Sequence, residues 1–242
     1  MASLLHLDSS ANRSDDSVSR ELTSLFADTW RAAHGPTGEC GRYRYVYRDL
    51  AADPVRPLDT AYCTLGRRLE RNGLPPLADV GTWIRSPAEE REWALTRSLI
   101  AGLLAADTVV IGAPMYNFSV SALLKAWIDR VGFPGVFTDP DTGASLLRAT
   151  NVVVIATRGG AYGPGTPREA WDFQTPYLRT YFGKQGVTEE NIHFVSVEMT
   201  MAGVVPHLAH QQSSAADSLA SARAEVTALA ATVGRSASRT AV

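Results

Sequence analysis

Three short stretches carry the side chains that could do chemistry. The first, DSSANRSDDSVSREL at 8–22, places Ser9, Ser10, Ser14, Ser17 and Ser19 just before or within the first turn of a predicted helix. Hydroxyls and free backbone N–H groups at a helix N-terminus bind a phosphate by hydrogen bonding and through the helix dipole. Neither GxxxxGK[ST] nor GxGxxG occurs, which argues against an ordinary P-loop and a dinucleotide fingerprint. A hydroxyl-lined loop without lysine suits a monoester phosphate, provided that Asp15 and Asp16 point away. The second stretch, PMYNF at 114–118, crowds large side chains into a corner where small turn residues are usual. Met115, Tyr116 and Phe118 can wall a planar ring, while Asn117 offers donor and acceptor to its edge. In the third, TRGGAYGPGTP at 157–167, Gly159 and Gly160 admit close approach because they lack side chains and tolerate positive φ.

Each stretch alone has a plain structural explanation: a serine N-cap, core filling, a flexible turn. The elements that carry them shift the balance. Apolar runs at 3–8, 107–114 and 151–158 read as buried strands, 42–50 alternates aromatic and polar residues, and 191–198 reads as a fifth strand. Helical spacing appears at 17–33, about 87–105, about 120–131 and about 214–233. In the third of these, Val120, Leu123, Leu124, Trp127, Ile128 and Val131 form one apolar face. Strands alternating with helices predict an α/β fold with a parallel sheet covered on both faces. Ligands of such sheets sit outside the carboxyl ends of the strands. The three stretches follow the first, third and fourth strands, so they should meet. A phosphate site, a ring wall and a close-approach glycine loop describe a mononucleotide with a large flat base, and flavin mononucleotide (FMN) fits.

At this point the sequence resembles a known family. PMYNFSVSALLKAWIDRV at 114–131 followed by ATRGG at 156–160 resembles the FMN-dependent NADH azoreductases, within the flavodoxin-like NAD(P)H quinone dehydrogenases. The resemblance runs from about residue 3 to 232. It implies a three-layer flavodoxin-like fold with strand order 2-1-3-4-5, non-covalent FMN, NADH or NADPH as hydride donor, and a homodimer with flavin sites at the subunit interface. Carried over by position, phosphate contacts fall on Ser10 (or adjacent Ser9), Ser17, Val18 and Ser19. Ring contacts fall on Met115, Tyr116, Asn117 and Phe118, with Thr157, Arg158, Gly159 and Gly160 closing the other side. The loop is one residue longer than the family spacing, which leaves Ser9 and Ser10 as alternatives. Tyr162 stands where the family often carries a histidine; a neutral phenol donates a hydrogen bond but supplies no positive charge to a reduced flavin. The implied activity is ping-pong, two-electron reduction of quinones or aromatic azo compounds, with Asn117 and Tyr162 as candidate catalytic groups.

Composition bounds the alternatives. The chain has 242 residues, 45% of them hydrophobic, enough for one α/β domain over 1–233 with a tail at 234–242. With 23 basic and 25 acidic residues the net charge is −2, which disfavours nucleic-acid binding and charge-docked electron shuttling. No run approaches a membrane span, and MASLLHLDSS lacks the basic start of a secretion signal. Cys40 and Cys63 show no metal or disulfide pattern, and the expectation is a cytoplasmic protein with reduced thiols. A phospho-acceptor domain needs an aspartate where Pro114 and Met115 stand. Residues 51–86 interrupt the rhythm and read either as a lid or partner element or as a surface excursion with a helix at about 60–71. That insertion keeps open a reductase specific for one aromatic metabolite. His207 and His210 form an HxxH without an evident third ligand, and His6 reads as a hydrogen-bonded sheet residue. Arg67, Arg68 and the EEREW run at 89–93 read as solvated helix faces. Arg85 and Arg168 are candidates for a nicotinamide phosphate.

Overall fold

The computed structural model describes residues 1–35 and 43–234. Cys40, Arg42 at the start of the expected second strand, and the tail beyond Gly234 lie outside the described residues. Five strands, β1 (Ala2–Asp8), β2 (Tyr43–Asp49), β3 (Thr108–Pro114), β4 (Asn151–Thr157) and β5 (Ile192–Val197), form one parallel sheet in the order β2-β1-β3-β4-β5. Alternation along each strand sorts the core into two layers. Leu4, Val110, Val153 and Ile155 face α1 (Val18–His34) and α6 (Gln212–Thr232), meeting Leu22, Phe26, Trp30 and Val226. Leu5, Leu7, Val109, Ile111 and Val154 face the opposite layer, built from α2 (Thr60–Arg71), α3 (Pro87–Leu104), α4 (Ala122–Val131) and α5 (Thr175–Lys184). All seven residues of β3 are buried, as a central parallel strand requires.

Two expectations change. Helix α5 was not expected, because among its residues only Leu178 and Phe182 are buried; one i,i+4 pair is too little apolar periodicity to read. The charged faces around EEREW are solvated only in part: Arg67, Glu90 and Arg91 are exposed, but Arg68, Glu89 and Glu92 are turned inward. Glu89 and Glu92 are 4% and 3% exposed and sit three residues apart on α3. Arg68 of α2 clasps Glu89 through two bonds of 2.8 Å, and Arg130 of α4, fully buried, pairs with Glu92 at 2.6 Å. Burial of these carboxylates is possible because each has a guanidinium facing it. Arg130 also donates to the carbonyls of Arg56 (2.8 Å) and Pro57 (3.0 Å), stapling the start of the 51–86 segment to the body. The expected helix at 60–71 is present as α2, and Val55, Tyr62, Leu65, Leu69 and Val80 join the core. Most of the segment's apolar surface is thus spent on packing.

Candidate functional site

Helix starts set the serine loop apart from α2, α3 and α4, whereas α5 and α6 also begin without a side-chain cap. The N-cap side chains of α2, α3 and α4 (Asp59, Ser86, Ser121) each accept a backbone N–H of their own first turn. Ser17, the N-cap of α1, makes no such bond. Its Oγ turns instead to Ser10 Oγ at 3.3 Å and Ser19 Oγ at 3.5 Å, so three buried hydroxyls converge over a helix N-terminus. Ser9 is committed elsewhere: its Oγ donates to the Gly112 carbonyl at 2.7 Å. That separates the two serines, leaving Ser10 beside the cradle. Val18 offers its backbone, since its side chain packs against the α1/α6 core. Asp16 is held away by hydrogen bonds from Asn12 and Ser14, both 2.8 Å, which also hold its carboxyl below the usual range.

The crowded corner is a two-residue hairpin turn. Tyr116 and Ser119 exchange backbone bonds of 2.9 and 3.1 Å, and the residues between, Asn117 and Phe118, have φ of 48° and 72°. Positive φ at both central positions is the type I′ pattern that usually selects Asn-Gly. A phenylalanine held there costs on the order of 1–3 kcal/mol, the kind of strain that collects at functional sites. Tyr116, Asn117 and Phe118 are consequently exposed.

Backbone contacts tie the three loops together. The Ala11 N–H donates to Tyr116 Oη at 3.2 Å, joining the serine loop to the corner. Met115 N–H donates to the Thr157 carbonyl at 2.8 Å, joining the corner to β4. Phe118 meets Tyr162 and Trp171 edge-on, with ring centroids at 6.3 and 5.6 Å. Gly159 and Gly160 do not use positive φ; it is their lack of a Cβ that matters. A Cβ on Gly159 would come within 2.8 Å of Met201, and one on Gly160 within 3.0 Å of Arg168 and 3.4 Å of Tyr162.

Arg158 is placed differently from a ring contact. Its side chain is 3% exposed and engages Asp172 (2.7 Å), Thr175 (2.6 Å) and Glu198 (3.3 Å). Glu198 in turn accepts the Tyr162 N–H at 2.8 Å, so this guanidinium holds the glycine loop and the Trp171 segment in position. Sequence reasoning missed the loop after β5, with Glu198 and Met201, because strand five carried no recognisable chemistry. It also missed Arg20, whose Nη2 donates to the Ser10 carbonyl at 2.9 Å. The only signal for it was a cation within the serine-rich turn. His6, as expected, is buried and bonded, its Nδ1 lying 2.9 Å from Tyr45 Oη.

The geometry therefore offers a hydroxyl-lined helix N-terminus, an apolar corner with one polar amide, and a glycine cradle at one sheet edge. Those features fit a phosphorylated flavin: the three serine hydroxyls and the first-turn N–H groups of α1 are neutral donors for a phosphate, and the corner offers an apolar wall with one polar amide. Comparisons with known proteins agree. The family described as having a flavodoxin-like fold matches residues 2–227. The FMN-dependent NADH:quinone oxidoreductase of Nocardia farcinica is 41% identical over 227 residues, covering 92% of this chain and 97% of that protein. The protein so named from Polaromonas naphthalenivorans is 38% identical, covering 94% of this chain and 93% of that protein. Among solved structures, an azoreductase from Bacillus anthracis has a TM-score of 0.74 at 20% identity, covering 96% of this chain and 99% of its own. An FMN-dependent NADH-azoreductase from Bacillus anthracis, in complex with FMN, has a TM-score of 0.72 at 19% identity, covering 94% and 97%. At that identity the two structures establish the shared fold.

Proposed function

The chain belongs to the flavodoxin-like family that includes the FMN-dependent NADH:quinone oxidoreductases, and on that premise we propose how its own residues serve the reaction. The protein is an FMN-dependent NAD(P)H oxidoreductase that reduces quinones and aromatic azo compounds. When bound, FMN supplies the hydride-accepting, two-electron chemistry that no side chain here can provide. Ser10, Ser17 and Ser19 with the N–H groups of the first turn of α1 hold the phosphate. Met115 and Phe118 wall the ring and Asn117 addresses its polar edge. Gly159 and Gly160 let backbone approach from the other side, with Thr157 beneath. The exposed Phe118 and Trp171 flank an open approach for planar donors and acceptors. The convergence of the three serine hydroxyls on an uncapped helix start is the observation that carries this reading.

Homodimeric assembly, which rests on the family resemblance, and a cytoplasmic location, which rests on the cysteine pattern, complete the proposal; among the described residues no helix is long and apolar enough to cross a membrane. Steady-state kinetics with NADH and a benzoquinone test the activity. Parallel double-reciprocal lines are expected; intersecting lines would contradict a ping-pong cycle. Tyr162 is expected to tune the cofactor. Arg168 lies 6.0 Å over its ring and brings a cation to the position where the family often has histidine. Tyr162→His adds a second protonatable group there, so the flavin midpoint potential should rise modestly; an unchanged potential would remove Tyr162 from the site.

A further inference from the structure

Two carboxylates lie beneath the phosphate loop. Asp8 ends β1, Asp49 ends β2, and they are partners in the parallel register. Asp8 is buried and Asp49 nearly so. Side by side at a sheet edge, like charges oppose one another and repel any anion bound above them. Arg20, in the first turn of α1, reaches both. Its Nη1 lies 3.4 Å from Asp8 Oδ2 and 3.1 Å from Asp49 Oδ2, and its Nη2 donates to Asp49 Oδ1 at 2.8 Å. The remaining donors go to the loop: Nη2 to the Ser10 carbonyl at 2.9 Å and Nε to the Asn12 carbonyl at 3.0 Å. One guanidinium thereby joins two strand ends, a helix start and the loop that presents Ser10.

Most of the cluster is hydrogen-bonded around this hub, although the buried His6 Nε2 makes no hydrogen bond. Thr23 Oγ1 and Tyr47 Oη donate to Asp8 at 2.8 and 2.9 Å, and His6 Nε2 lies 3.5 Å from its other side. Burial, and then the neighbouring Asp8, push the Tyr47 phenol up to about 12, which keeps it a donor. Arg13 approaches Asp49 at 3.3 Å but its side chain is 61% exposed, so it is a weak substitute.

We propose that Arg20 is a positioning residue that makes the site select a phosphorylated flavin, by neutralising the Asp8–Asp49 pair and fixing the Ser10 and Asn12 carbonyls. With those carbonyls tied down, the loop turns its N–H and hydroxyl groups outward to a dianion. The inference rests on the FMN reading of the site and deepens it. Riboflavin, which has the same ring without phosphate, is the natural control because it does not need the loop.

The test titrates apoprotein with FMN and with riboflavin for wild type, Arg20→Gln, Arg20→Lys, Asp49→Asn and the Arg20→Gln/Asp49→Asn pair. Loss of charge-assisted bonds predicts that Arg20→Gln weakens FMN binding by about 10- to 100-fold, with riboflavin changed less than about twofold. Arg20→Lys keeps the charge but not the fork, so its FMN-over-riboflavin ratio falls less. Adding Asp49→Asn to Arg20→Gln removes one uncompensated carboxylate and should restore part of the FMN affinity. An equal loss for both flavins would mean general disruption and overturn the proposal, as would unchanged FMN affinity. Should Arg20→Gln not fold, the ratio in Arg20→Lys decides: a ratio equal to wild type overturns it. A wild-type protein that binds neither flavin would instead remove the FMN reading itself.

Discussion

Gly112→Val protein should bind FMN at least about 100-fold more weakly than wild type, although Gly112 is not one of the residues assigned to the cofactor. Gly112 lies inside β3, where a side chain would normally pack. A Cβ there would stand 2.9 Å from Asp8 Oδ1, 3.1 Å from Thr23 Cγ2 and 3.6 Å from the Ser19 carbonyl. The first turn of α1 is therefore seated directly on this glycine, and Ser9 is bonded to its carbonyl through both Oγ (2.7 Å) and N–H (3.2 Å). Valine has to push the helix start outward, and the three serine hydroxyls lose their common focus. Overpacking of this kind costs about 1–3 kcal/mol of stability as well. Fluorescence titration of the apoprotein checks it, with Gly112→Ala falling between the two. Binding by Gly112→Val within threefold of wild type would show that the seat of α1 does not set the phosphate site.

The largest loss of stability should come from Arg130→Ala. Its side chain is fully buried against Glu92 and holds the carbonyls of Arg56 and Pro57. Removing it leaves a buried carboxylate with Arg56 as its remaining ion-pair partner, and two carbonyls without their donor. Breaking a buried pair from one side costs about 3–5 kcal/mol. For a chain of this size that is a drop in Tm on the order of 10 °C. Replacing both members, as in Glu92→Leu with Arg130→Met, should cost less than Arg130→Ala, because no unpaired charge remains. Thermal unfolding of these two variants beside wild type checks the expectation. A double variant less stable than Arg130→Ala would mean that the pair contributes more than mutual neutralisation.

Much of this fold was legible because its strands are buried on both faces. Runs such as 107–114 and 151–158 are apolar throughout, and the helix that follows PMYNFSVS shows its periodicity openly. The corner stands out for the opposite reason: large side chains at a turn contradict local propensity, as contradictions at functional sites do, and the structure shows the strained turn, with positive φ at Asn117 and Phe118. What could not be read was pairing between distant charges. Glu89 and Glu92 look like ordinary helix-surface residues until Arg68 and Arg130 are folded against them. Arg20 likewise looks like a solvent-facing cation, and Arg158 was expected against the ring, yet each organises a loop of the candidate site through contacts with several segments. Only the fold shows that the Ser9 hydroxyl is bonded to the Gly112 carbonyl, which is why Ser10 is the serine proposed at the phosphate.

Under the proposed function these loops hold FMN in a form that NADH can reduce. The most direct measurement is the visible absorption spectrum of purified protein reconstituted with FMN and freed of excess, followed by anaerobic addition of NADH. A retained flavin band that bleaches with one equivalent of NADH and returns on adding a quinone is the predicted result. Failure to retain FMN, or a bound flavin that NADH leaves oxidised, would contradict it.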